Sequence, residues 1–195
     1  VVKGWCTETA NEMAYLCMQV HGGAGYIEET GVAQLLRDVR ITTIYEGTTG
    51  IQANDLLFRK LMRDQGATAK YVFGEVAATA KALGASARPE LQAVARRLGD
   101  ALQAWVKATE WLSAEAKNGL AGPLTAAVPY LYLAVTVCGG WMMGKAALAA
   151  AGYLDKGEGD QTFYRAKIAT AHFYADQMLP QAAAYGETVR AGNAA

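Results

Sequence analysis

Apolar residues recur along this chain at spacings of three and four, and nowhere do they alternate with polar ones over a strand's length. From Trp5 to Val20 the repeat runs through Ala10, Met13, Cys17 and Val20, with Glu8, Asn11 and Glu12 on other faces, so a helix with those four apolar positions inward is expected. Gly22, Gly23 and Gly25 stop it, and their freedom at positive φ permits a compact corner. A second helix, Glu29 to about Val39, should turn Val32, Leu35, Leu36 and Val39 inward. Its early Glu28 and Glu29 and late Arg37 and Arg40 suit the helix dipole. Ile41 to Gly47 reads as a loop. Thr48 or Thr49 then caps a third helix that passes through Leu57, Leu61 and Met62 and ends near Gly66.

A boundary falls around Gln65 to Ala69, dividing the chain into 1–66 and 67–195. Beyond it a fourth helix is expected over Ala67 to Leu83. Arg88-Pro89 opens a fifth, in which Leu91, Val94, Leu98, Ala101, Leu102, Trp105 and Leu112 keep a helical period. Gly119 and Gly122-Pro123 turn the chain into a sixth, Leu124 to Tyr153, with no charged residue before Lys145. That run meets the length test for a membrane span. Pro129, Gly139, Gly140, Thr125 and Thr136, and amphipathic neighbours on both sides, favour the central member of a bundle instead, with no membrane span. A Gly140-xxx-Gly144 interhelical contact is the alternative use of its small residues. A seventh helix, Gln161 to about Arg190, should bend at Pro180, and the tail from Ala191 should fray. The class is all-α, with the last four helices forming an antiparallel bundle.

At 195 residues and 52% hydrophobic, the chain can bury the core of one or two domains. Eighteen basic residues balance eighteen acidic ones, which leaves no electrostatic footprint for nucleic acid. Cys6, Cys17 and Cys138 are odd in number and form no CxxC pair, so a reducing, cytoplasmic setting suits them. Cys6 and Cys17 stand about three helical turns apart and are placed on one buried face. The opening Val1-Val2-Lys3-Gly4 has no initiator methionine and no basic region before an apolar run, so a fragment of a longer parent is expected.

The chemistry concentrates between Gln19 and Gln52. Gly22-Gly23-Ala24-Gly25 follows a helix rather than a strand, and position 28 is Glu, so a dinucleotide fingerprint fails. The segment is either a plain corner or a backbone surface that offers N–H groups, with Gln19, to a polar ligand. Glu46 lies between Tyr45 and Gly47, with Ile44 and Ile51 near. It is either a surface carboxylate at a helix start or a general base whose apolar neighbours raise its pKa. No metal is expected, since His21 and His172 lie far apart with no ligand pair at helical spacing, and Asp155, Glu158 and Asp160 read as a solvated turn. Serine occurs only at 86 and 113, neither in a nucleophile setting.

Gln19-Val20-His21-Gly22-Gly23-Ala24-Gly25-Tyr26, then Leu36-Arg37-Asp38-Val39-Arg40-Ile41, then Ile44-Tyr45-Glu46-Gly47-Thr48-Thr49-Gly50-Ile51-Gln52 resemble the C-terminal helical domain of flavin-dependent acyl-CoA dehydrogenases. Residues 67–195, with Lys167-Ile168-Ala169, His172-Phe173-Tyr174-Ala175 and Leu179-Pro180, are similar to the extra helical domain of the larger members, among them enzymes acting on 3-(methylthio)propanoyl-CoA. The resemblance implies that Glu46 is the base for the α-proton of an acyl-CoA substrate, with the β-hydrogen leaving as hydride to FAD. It implies that Tyr45 and Gly47 border the thioester, that Gln19, Gly22 and Gly23 touch the FAD of a neighbouring subunit in a homo-oligomer, and that Thr48 contacts FAD. An electron-transfer partner follows for the parent enzyme. Gly50 stands where many relatives carry a larger polar residue. The family's N-terminal helical and middle β-domains are not in this sequence, so the chain alone is expected neither to hold FAD tightly nor to turn over. A non-catalytic helical interaction module of the same descent is the alternative, and a nucleic-acid-associated relative is disfavoured by the zero net charge.

Overall fold

In a computed structural model, which describes residues 1–192, these repeats fold into helices, and no strand occurs among the described residues. Helix α1 (Val2–Val20) leads into a single turn, α2 (Gly23–Tyr26), a 3-10 turn (Glu28–Thr30) and α3 (Val32–Arg40). A second 3-10 turn, Ile41–Thr43, opens the loop to α4 (Thr49–Asn54), which continues as a π-helix over Asp55–Met62. Helices α5 (Ala67–Gly84), α6 (Pro89–Glu115), α7 (Ala121–Lys156), α8 (Gln161–Gln177) and α9 (Gln181–Ala191) follow. Of the tail expected to fray, Ala191 still belongs to α9, and 193–195 lie outside the described residues.

The second part is organised around α7. It packs against α4, α5, α6, α8 and α9, and 61% of its apolar window is buried inside the protein. Its small residues set the spacing. A Cβ on Gly140 would lie 2.6 Å from Leu179 Cδ2, and one on Gly144 would lie 2.9 Å from Leu83 Cδ1. The Gly140-xxx-Gly144 pair therefore does make interhelical contacts, as a seam within the bundle.

Both ends of this bundle depart from the expected boundaries. α7 starts at Ala121 and takes Gly122 and Pro123 into its first turn, where a missing N–H leaves no intrahelical bond unmade. The predicted seventh helix is not bent but broken into α8 and α9 around Met178, Leu179 and Pro180. Proline lacks the N–H that would continue the ladder, and its ring crowds the preceding turn. Leu179, freed at the break, is 2% exposed and fills the space over Gly140.

Helix starts carry their own signals. Pro89 occupies the first turn of α6. The Asp160 carboxylate accepts N–H bonds from Thr162 and Phe163 at 2.9 and 3.0 Å, capping α8. Ahead of α5, the Asp64 carboxylate accepts from the N–H groups of Thr68 (2.9 Å) and Gly66 (3.0 Å). Hydrogen bonding to Thr68, through its side chain first and its backbone next, holds the Asp64 carboxyl below the usual carboxylate value.

The first part departs more. Gly31 takes φ +76°, so Glu29 belongs to a 3-10 turn and α3 starts only at Val32. Thr48 sits at the N-cap of α4, yet its hydroxyl makes no capping bond. The face of α1 expected inward is largely bare, with Met13 51% and Val20 86% exposed, and Leu35 of α3 is 57% exposed. Cys6 is exposed and Cys17 half-buried, so they share no buried face. The reason is supply: among the described residues α1 packs chiefly against α2, α3, the Ile41–Thr43 turn, α4 and an edge of α7, which leaves its apolar stripe largely unpartnered there.

Candidate functional site

Glu46 sits on the loop between the Ile41–Thr43 turn and α4, and its backbone is its most distinctive property. Its φ is +53° and that of Gly47 is +90°, two successive residues in the left-handed region. Glycine takes that conformation freely, but a glutamate does so only where the surroundings hold it. Six contacts hold this loop. The Lys3 ammonium donates to the Gly47 carbonyl at 2.6 Å, and the Gln52 amide donates to the Glu46 carbonyl at 3.0 Å. Lys3 Nζ also lies 6.0 Å from the centre of the Tyr45 ring. At the loop's far end the Thr49 hydroxyl donates to the Glu8 carboxylate. On the near side Arg40 donates to the buried Thr43 hydroxyl, and the Asn11 amide reaches the Val39 carbonyl at 3.3 Å.

The side chain itself is exposed, as are Tyr45, Thr48, Ile44 and Ile51 around it. The dry surroundings expected around Glu46 are therefore not supplied by this chain, because the two isoleucines are themselves in solvent. Cavities of about 710, 460, 290 and 230 Å³ are lined by residues other than Glu46. Gln52 joins Val1, Leu56, Trp105 and Tyr130 around the 290 Å³ one, behind the loop.

The glycine corner is equally open. Gly22 takes φ +59°, its N–H donates to the Gln19 carbonyl at 3.0 Å, and a Cβ at Gly22 or Gly23 would meet nothing within 4 Å. Gln19 is exposed beside it. Gly25 differs: it is buried, and a Cβ there would lie 2.4 Å from the Met18 carbonyl oxygen, so this glycine serves the close turn itself. α1 joins the two loops, since it ends at the glycine corner and its first turns hold the Glu46 loop.

Lys3, Glu8 and Gln52 were not singled out by the sequence reading. Lys3 left one signal: a cation in the first turn of a helix opposes the macrodipole and calls for another reason to be there. A second miss is Asp176, one helical turn after His172 at 3.4 Å, which also meets Arg97 at 3.5 Å. It is a half-exposed ion-pair cluster, and no group of residues that could hold a metal occurs among the described residues. Asp155 pairs with Arg88 at 2.7 Å. In the bundle, burial pushes the Cys138 thiol up to about 11 and the Tyr174 hydroxyl up to about 12.

Comparison with known proteins covers most of the chain. The family model described as "Acyl-CoA dehydrogenase, C-terminal domain" matches residues 1–62, and that described as "Acetyl-CoA dehydrogenase C-terminal like" matches residues 72–195. A 3-methylmercaptopropionyl-CoA dehydrogenase of Ruegeria pomeroyi is 48% identical over 187 residues, 94% of this chain and 31% of the relative. A broad-specificity linear acyl-CoA dehydrogenase of Mycobacterium tuberculosis is 34% identical over 194 residues, 92% of this chain and 30% of the relative. A butyryl-CoA dehydrogenase of Syntrophomonas wolfei is 32% identical over 182 residues, 90% of this chain and 29% of the relative. The chain thus spans just under a third of the length of these curated relatives. With both regions matched in order, this chain belongs to the acyl-CoA dehydrogenase family.

Proposed function

We propose that this chain supplies the base loop of a flavin-dependent acyl-CoA dehydrogenase and carries Glu46 as the base for the α-proton. The observation that carries the reading is the held left-handed backbone at Glu46, since strain of this kind persists only where neighbours over-determine it and it clusters at functional sites. The α-proton of a thioester is a weak acid, so its base must be aimed and shielded from water. The aim comes from Lys3 and Gln52 on the two carbonyls. The shielding must come from the acyl-CoA and from surfaces that cover the exposed Tyr45, Ile44 and Ile51.

Gln19, Gly22, Gly23 and Thr48 fit FAD as one wall of a site, because the open corner lets a flat ligand approach the backbone. When bound, FAD supplies the hydride acceptor for the β-hydrogen. Glu46 takes the α-proton, and Tyr45 and Gly47 border the thioester. The bare apolar face of α1 and α3 is where the remainder of the enzyme and a neighbouring subunit sit, and the parent hands its electrons to a further protein. The isolated chain, with no cavity closed over Glu46, neither binds FAD tightly nor turns over. α7 is a buried bundle helix rather than a membrane span, and the parent works in the cytoplasm.

The test is Glu46→Gln in the complete protein that carries this sequence. Abolished flavin bleaching by acyl-CoA with FAD retained supports the base; unchanged reduction kinetics sinks it. A second reading, a non-catalytic interaction module, is favoured by the exposure of Glu46 in this chain. It gains if Glu46→Gln is silent while the chain alone remains folded and self-associates.

A further inference from the structure

From the two anchored carbonyls we infer that Lys3 and Gln52 are positioning residues, which fix the direction of the Glu46 carboxylate through its backbone; the inference rests on the reading of Glu46 as the base. The peptide units on either side of Gly47 are each tied to a different helix. Gln52, on α4, holds the Glu46 carbonyl at 3.0 Å, and Lys3, on α1, holds the Gly47 carbonyl at 2.6 Å. Gly47 lies between them and Glu46 directly before them, the two successive positive-φ residues. Rotation of the first peptide would swing the Cα–Cβ bond of Glu46, and with it the carboxylate, and the bond on the second limits that rotation through Gly47.

Several observations separate this from ordinary surface hydrogen bonding. A bond from an ammonium to a carbonyl at this length is charge-assisted and stronger than a neutral one. Lys3 is half-buried and forms no ion pair among the described residues, so its charge is directed at the loop. The same ammonium lies over the Tyr45 ring, so Lys3 touches the residues on both sides of Glu46. Gly47 leaves room for this arrangement: a Cβ there would come within 3.0 Å of Gln52 Nε2. The Thr49–Glu8 contact ties the start of α4 to α1, so both anchors move together with the base loop.

The experiment uses the complete, flavin-loaded protein and the variants Lys3→Met, Lys3→Arg, Gln52→Leu and Glu46→Gln. Two rates are read: flavin reduction by saturating acyl-CoA in stopped flow, and uptake of solvent deuterium at the α-carbon of 3,3-dimethylbutanoyl-CoA. That thioester has α-hydrogens but no β-hydrogen, so exchange reports the proton step alone. Displacing a reacting group by about an ångström costs on the order of a hundredfold in rate. Lys3→Met is therefore expected to slow exchange and reduction together by about that factor, while thioester affinity and flavin content stay within about twofold. Lys3→Arg, which keeps a charged donor, restores most of the rate. Gln52→Leu slows exchange by about tenfold and leaves Lys3 in place, so it carries the test if Lys3→Met does not fold. Exchange by Lys3→Met or Gln52→Leu at the wild-type rate overturns the inference, as does a slow Lys3→Met that lost its flavin and is not rescued by arginine. Exchange surviving in Glu46→Gln instead removes the base reading itself. Exchange abolished in Glu46→Gln but untouched by Lys3→Met removes only the positioning role.

Discussion

Residues 1–66 and the bundle that follows are both helical, yet they handle apolar side chains in opposite ways. α1 buries a single residue, Gly4, along its whole length, and it leaves Met13, Leu16 and Val20 in solvent. α6 buries Leu91, Val94, Leu98, Leu102, Trp105 and Leu112 on one continuous stripe. The difference lies not in sequence pattern, which is helical in both, but in whether the chain contains the opposing surface. An extended bare apolar face marks a surface that meets something else. The candidate chemistry lies on the bare side, and α6 and α7 of the bundle find their opposing surfaces within the chain.

The largest contrast should appear in core truncation. Leu98 is fully buried, so Leu98→Ala should cost about 3 kcal/mol in chemical denaturation of this chain, the usual range for a cavity of that size. Leu35→Ala should change stability by less than about 0.5 kcal/mol. Equal losses would erase the distinction between the two regions.

Glycines sharpen it next. Gly140→Ala would push Leu179 aside and is expected to destabilise the chain by about 1–2 kcal/mol, overpacking outweighing the gain in helix propensity. Gly23→Ala faces open space, so the isolated chain should melt unchanged, while the complete protein should hold its flavin less firmly, read as the flavin retained on dilution.

Thiol chemistry offers a smaller effect. Cys138, half-buried and with its thiol pushed up to about 11 by burial, should label with a thiol reagent at pH 8 far more slowly than the exposed Cys6. Unfolding lets Cys138 ionise from its ordinary value of 9.0, so stability should fall as pH rises from there towards 11. Cys138→Ala should flatten that slope in denaturation curves.

The smallest concerns the joint between the regions. The lowered Asp64 carboxyl contributes stability that is present above its ordinary value near 3.8 and is lost as pH falls through the lower folded value. Asp64→Asn should therefore flatten the acid dependence of the melt, with a small loss of stability near neutral pH that vanishes in acid.

The periodicity alone determined the helical class, the residues of α6 that face inward, and the helix starts at Ala67 and Pro89, because local propensity and capping act over a few residues. The two glycine-bearing motifs also carry the residues of the proposed chemistry, since Glu46 and Gly47 are neighbours in sequence. Three things needed tertiary structure. The seat of Leu179 over Gly140, beside the break at Pro180, is a contact between distant helices. The bare face of α1 could not be read from its pattern, because period shows which residues share a side and not whether anything meets them. The bond from Lys3 to Gly47 joins positions 44 apart, so it exists only after α1 docks against the loop. Sequence fixes what is local; the direction of the carboxylate at Glu46 is set by helices that meet only in the folded chain.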